Sequence, residues 1–72
     1  MTPLIYYLEA LDARVYVTII DLREGKFLVD YTHLYSVLAD KEFIKRYWDY
    51  NVQSVDISRI EEELRVYIRI AQ

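Results

Sequence analysis

In RVYVTIIDL, Arg14 to Leu22, β-branched and aromatic residues crowd together with no bias toward helix formers, a composition that favours an extended chain. The pattern predicts a strand. Arg23-Glu24-Gly25 interrupts it, and KFLVDYT then places Phe27, Val29 and Tyr31 on alternate positions, the period of a second strand. A three-residue hairpin loop would use the chain's single glycine for the left-handed conformation such loops need. That register pairs Ile19 with Val29 and Val17 with Tyr31, setting apolar side chains opposite one another.

Before this hairpin, Leu4, Tyr7, Leu8 and Leu11 fall at i, i+3, i+4 and i+7. A strand would instead put Glu9 on the face of Ile5, Tyr7 and Leu11, so the helical period fits better. Thr2-Pro3 is a start signal, with Thr able to cap free amides and Pro tolerated at the first helical position. A helix over 2–11 follows, too short to persist unless it docks. Thr32 to Ala39 reads as a connector whose Leu34, Val37 and Leu38 dip into the core. Asp40 then offers an N-cap for a helix over KEFIKRYWDY. VQSVDI and LRVYIRI read as two further strands separated by SRIEEE. Pairing Val55 with Val66 and Ile57 with Leu64 puts all four on one face and sets Asp56 opposite Arg65. The expected fold is a single α+β domain over residues 1–72, ordered α-β-β-α-β-β, with helices packed on one face of an antiparallel sheet.

Seventy-two residues leave room for one small domain, and an apolar content of 54% permits a packed core. Stability is expected to be modest, with self-association into a homodimer as one source of support. The absence of cysteine removes disulfides, thiolate catalysis and thiolate metal sites, and it agrees with a reducing cytoplasm. Glu9 interrupts the N-terminal apolar stretch, and no window approaches the ~20 apolar residues of a membrane span. The expected location is cytoplasmic, with no membrane partner. Twelve acids against nine bases give a net charge of −3, which weakly repels polyanions, so nucleic-acid binding would need a local basic patch.

RVYVTIIDLREGKFLVDY, LADKEF, VQSVDI and LRVYIRI together cover most of the chain. In this arrangement the chain resembles small accessory proteins encoded by phages and conjugative elements of Gram-positive bacteria. The resemblance implies a fold and a genomic setting. Many such proteins have no known activity, while some proteins of this size block host defence nucleases; given that setting, the expected partner is a host protein that the module inhibits.

Residue chemistry gives little support to catalysis. Asp30, His33 and Ser36 lie close in sequence, but triads are recognised by geometry, and neither a GxSxG elbow nor a phosphate-binding glycine loop is present. Asp30, His33 and Asp40 match no metal-ligand spacing, and no cofactor or metal is expected. Glu61-Glu62-Glu63 reads as a solvated turn. A non-enzymatic role is therefore expected.

FIKRYWDYN, Phe43 to Asn51, combines four aromatic rings with two basic side chains. At 100° per residue, Phe43, Ile44, Tyr47, Trp48 and Tyr50 share one arc, and Lys41, Glu42, Lys45, Arg46 and Asp49 the other. A stacking groove needs rings and cations to converge, so this segment is expected to be a core face, its bases balanced by Glu42–Arg46 and Lys45–Asp49 pairs worth about 0.2–0.5 kcal/mol each. LRVYIRI differs: alternation turns Leu64, Val66, Ile68 and Ile70 inward and Arg65, Tyr67 and Arg69 outward. Tyr and Arg are enriched at interface hot spots, and a chain with eight tyrosines has several to place at its surface boundary. The expected function is a protein-interaction module contacting its partner through Arg65, Tyr67 and Arg69, with Trp48 and Tyr16 as further contacts. Nucleic-acid binding by the same Arg-Tyr-Arg face is the alternative.

Overall fold

The protein was analysed as a computed structural model that describes residues 2–72. Three short helices, α1 (Leu4–Glu9), α2 (Leu34–Ala39) and α3 (Lys41–Tyr47), accompany four strands, β1 (Tyr16–Asp21), β2 (Lys26–His33), β3 (Asn51–Ile60) and β4 (Glu63–Ala71). The α+β class and the alternation of helices with hairpins are those expected from the sequence. The sheet order is β2-β1-β4-β3, so the two strands richest in alternating apolar residues occupy its centre. Each hairpin is antiparallel, but β1 and β4 join them in parallel, which makes the sheet mixed rather than wholly antiparallel. It follows that β2 and β3 also run parallel, and α2 and α3 carry the chain back across the sheet between them. Hairpin patterns determine neighbours within each hairpin and are silent on how two hairpins meet.

All three helices lie on one face. Leu4, Leu8, Leu34, Val37 and Tyr47 form a single buried cluster with Val15, Val17, Ile19, Val66, Ile68 and Ile70. The first helix begins at Leu4 with Pro3 as its N-cap, and no side chain caps it; the expected Thr2 cap is not formed. Carbonyls from beyond α3 satisfy its leading amides instead, with Leu4 N–H donating to Tyr50 at 2.6 Å and Ile5 N–H to Trp48 at 3.3 Å. Tertiary contacts thus replace local capping in a helix too short to stand alone.

The expected connector at Thr32–Ala39 is mostly helix: β2 continues through its first two residues, Thr32 and His33, and α2 follows directly over Leu34–Ala39. Asp40 caps α3 as expected, its carboxylate accepting from Phe43 N–H at 3.1 Å. Phe43, Ile44, Tyr47 and Tyr50 pack on the core, but Trp48 does not. The helix ends at Tyr47, and Trp48, its C-cap, is 53% exposed. Neither Glu42–Arg46 nor Lys45–Asp49 forms an ion pair among the described residues, and Asp49 lies beyond the last helical turn.

Both hairpin registers differ in detail from expectation. The first loop has four residues, Leu22 to Gly25, with Asp21 opposite Lys26. Gly25 takes the left-handed conformation, φ 63°, and buried Asp21 organises the turn by accepting from the N–H groups of Arg23 and Glu24. Ile19 does face Val29, but Val17 faces Thr32 rather than Tyr31. Two register shifts interrupt the ladder, and Tyr31 adopts φ 47°. In the second hairpin Ile57 faces Val66 and Val55 faces Ile68, two residues from the expected register. Strands β3 and β4 run on to a two-residue turn at Glu61-Glu62, where Glu61 takes φ 57°, shortening the SRIEEE connection. A shift of two preserves which face each side chain occupies, so the apolar assignment survives the slip.

Candidate functional site

Alternation in the central strands turns Val17, Ile19, Val66, Ile68 and Ile70 toward the helices and Tyr16, Thr18, Ile20, Arg65, Tyr67 and Arg69 to the opposite face. Among the described residues no helix covers this second face. The strand registers define its map. One row across the sheet runs Phe27, Ile20, Arg69, Ser54; the next contains Thr18, Tyr67 and Asp56; a third runs His33, Tyr16, Arg65, Ser58. Arg65, Tyr67, Arg69 and Tyr16 are therefore together, as four of the five residues chosen from sequence. Trp48 is apart from them, at the end of α3 in the helical layer.

Aromatic rings missed in the sequence join this face. Tyr31 stacks on Tyr16 with centroids 4.5 Å apart, Tyr16 lies 4.0 Å from the His33 ring, and His33 lies 5.1 Å from Tyr35. The run of four rings depends on the β2 irregularity. Buried Thr18 accepts the Tyr31 N–H through Oγ1 at 3.1 Å, holding the strand where Tyr31 leaves regular pairing. The sequence held one signal of this, the side-by-side Tyr31 and His33 in the same strand, but a left-handed tyrosine has no local signature.

Charges on the face are paired within it. Arg65 donates to Glu63 Oε2 from Nη2 at 3.0 Å and from Nε at 3.2 Å. Its guanidinium also lies over the Tyr31 ring, 4.6 Å from the centroid. The Tyr31 hydroxyl stands 2.9 and 2.8 Å from the two Glu63 oxygens and shares its proton between them. These hydrogen bonds, first from Tyr31 and then from Arg65, hold the Glu63 carboxyl below its ordinary range. The same bond to Glu63 is the largest cause of the upward shift of the Tyr31 phenol. Arg69 donates to Asp56 at 2.7 Å. Asp56 thus pairs with Arg69 rather than with the expected Arg65, a consequence of the shifted register that places Asp56 beside Tyr67.

Two arginines and two carboxylates leave this cluster with no net charge. Beyond Tyr16 it continues into an open cleft of about 390 Å³ whose rim mixes Arg14 and Arg59 with Asp12, Glu62 and Glu63. The cleft beside α3, about 530 Å³, likewise mixes Lys45 and Arg46 with Asp40 and Glu42.

His33 lies between the rings of Tyr16 and Tyr35, and its buried Nδ1 has no hydrogen-bond partner, so neither Asp30 nor Ser36 orients it. No group of three or more His, Asp or Glu side chains able to hold a metal ion occurs among the described residues. No helix among them is long and apolar enough to cross a membrane. Comparison with protein-family models, with curated proteins and with solved structures finds no match to this chain.

Proposed function

We propose that the protein is a non-enzymatic interaction module whose helix-free sheet face docks a protein partner. Tyr16, Tyr31 and Tyr67 supply ring surface at low entropic cost, since tyrosine has few rotatable bonds, while Arg65 and Arg69 supply oriented donors at its margin. One observation carries the reading: each arginine is bound to a carboxylate of the same face, Arg65 to Glu63 and Arg69 to Asp56. A face with balanced charge offers a phosphate backbone little attraction, and its Tyr16, Tyr31 and His33 rings are already stacked on one another rather than splayed to receive bases. On the resemblance to mobile-element accessory proteins, the partner is a host protein that the module inhibits by covering its surface, for example a defence nuclease.

The test is paired substitution. Tyr67→Ala with Arg69→Ala should weaken the partner by about 2 kcal/mol or more, roughly thirty-fold in affinity, if these residues form a hot spot. Undiminished binding would remove the face from consideration. Oligonucleotide affinity that falls steeply with added salt and is abolished by the same pair would favour the nucleic-acid alternative.

A further inference from the structure

The two edges of the sheet are protected unequally. On the β2 edge the ladder is broken by two register shifts and a left-handed Tyr31, and the strand carries Lys26 and Asp30. Such bulges and charges are the usual devices that stop an edge from pairing with another strand. On the β3 edge, Pro3 bridges Asn51 and one register shift falls between Val52 and Ser54, but from Ser54 to Ile60 the register with β4 is unbroken, and this seven-residue stretch contains neither proline nor lysine, with Arg59 and Asp56 as its only charges. Its Asp56 is tied down to Arg69 of its own sheet. Ile57, on the helix side opposite buried Val66, is 60% exposed, because the helical layer stops short of it.

We propose that β3 pairs with β3 of a second copy, antiparallel about a two-fold axis at Ile57. An axis normal to the sheet keeps the helical layers on one side, so facing residues share a face. Centring on Ile57 sets Ile57 against Ile57 of the second copy, Val55 against Arg59 and Asp56 against Ser58. No like charges meet, both exposed isoleucines are covered, and the Asp56 carboxylate gains a hydroxyl donor across the junction. The self-complementarity of this register is what selects a second copy over an unrelated strand. Two four-stranded sheets become one of eight strands, with the helix-free faces side by side. The inference is independent of what docks on those faces.

Sedimentation equilibrium of the full chain across micromolar concentrations should give twice the 8.7 kDa monomer mass. Ile57→Lys places a charge at the axis and should return it to monomer with an unchanged circular dichroism spectrum. Because the chain has no cysteine, Ile57→Cys provides a second reading that does not require loss of association. Facing residues about 5.5 Å apart at Cα are within disulfide reach, so mild oxidation should yield a covalent dimer, whereas Tyr35→Cys should not. A wild-type monomer at every concentration would overturn the proposal, as would a dimer that survives Ile57→Lys, or equal cross-linking by Tyr35→Cys.

Discussion

Replacing Thr18 by valine tests how the aromatic face is assembled. The substitution preserves shape and removes the acceptor that holds the Tyr31 N–H at 3.1 Å. An unpaired buried donor costs about 1–3 kcal/mol, and the lower half of that range applies because Tyr31 is 46% exposed and water can reach its surroundings. The methyl that replaces the hydroxyl returns up to ~0.8 kcal/mol of burial. The net loss is then about 0.2–2 kcal/mol, which for a domain of this size lowers Tm by roughly 1–16 °C. Urea unfolding measures the free energy, and amide exchange reports the local event. Tyr31 N–H should lose protection in Thr18→Val and keep it in Thr18→Ser, which retains the oxygen while losing a methyl. A valine variant as stable as wild type, with Tyr31 protection intact, would refute the role given to Thr18.

Raising pH should ionise Tyr31 later than an ordinary tyrosine: its folded pKa is raised, so the Glu63 bond stabilises the fold below the phenol's usual pKa and is lost as pH climbs through the raised value. Tyrosinate absorbance should show this late component disappear in Glu63→Gln. In acid the sign reverses. Glu63 is lowered, and Asp12, hydrogen-bonded by Arg14, is lowered from 3.8 to about 2, so their contributions hold above the usual carboxylate range and fade as pH falls through the shifted values. Acid titration of Tyr31→Phe followed by circular dichroism should show a shallower loss. Ile68→Ala, at a fully buried position of a central strand, should cost about 2–5 kcal/mol by thermal or urea unfolding. Trp48→Ala, at an exposed helix end, should stay within about 0.5 kcal/mol of wild type by the same measurement.

Local periodicity made the α+β class, both hairpins and the inward set of β4 legible in the sequence, because each depends on neighbours a few residues apart. The Arg65-Tyr67-Arg69 face was legible for the same reason, and Tyr16 joins it through the parallel register with Arg65. What escaped depends on distant contacts. Tyr31 reaches the face only because Thr18, thirteen residues earlier, holds an irregular strand, and Glu63 changes from a solvated turn residue to the centre of a Tyr31–Arg65 cluster once β4 begins at its position. The parallel junction of β1 with β4 likewise has no local signature. Trp48 differs for a simpler reason: the helical arc read from the sequence runs through Tyr50, whereas α3 ends three residues earlier, at Tyr47.

The central claim, that the helix-free sheet face receives a protein, is tested most directly by affinity capture from nuclease-treated lysate of a Gram-positive host, with the captured complex then mapped by hydrogen exchange. A protein retained without nucleic acid, protecting Tyr16, Tyr31 and Tyr67 amides, lost with Tyr67→Ala plus Arg69→Ala and kept with Trp48→Ala, is the predicted result. Protection confined to the helical layer, or capture unaffected by the Tyr67 and Arg69 pair, would contradict it.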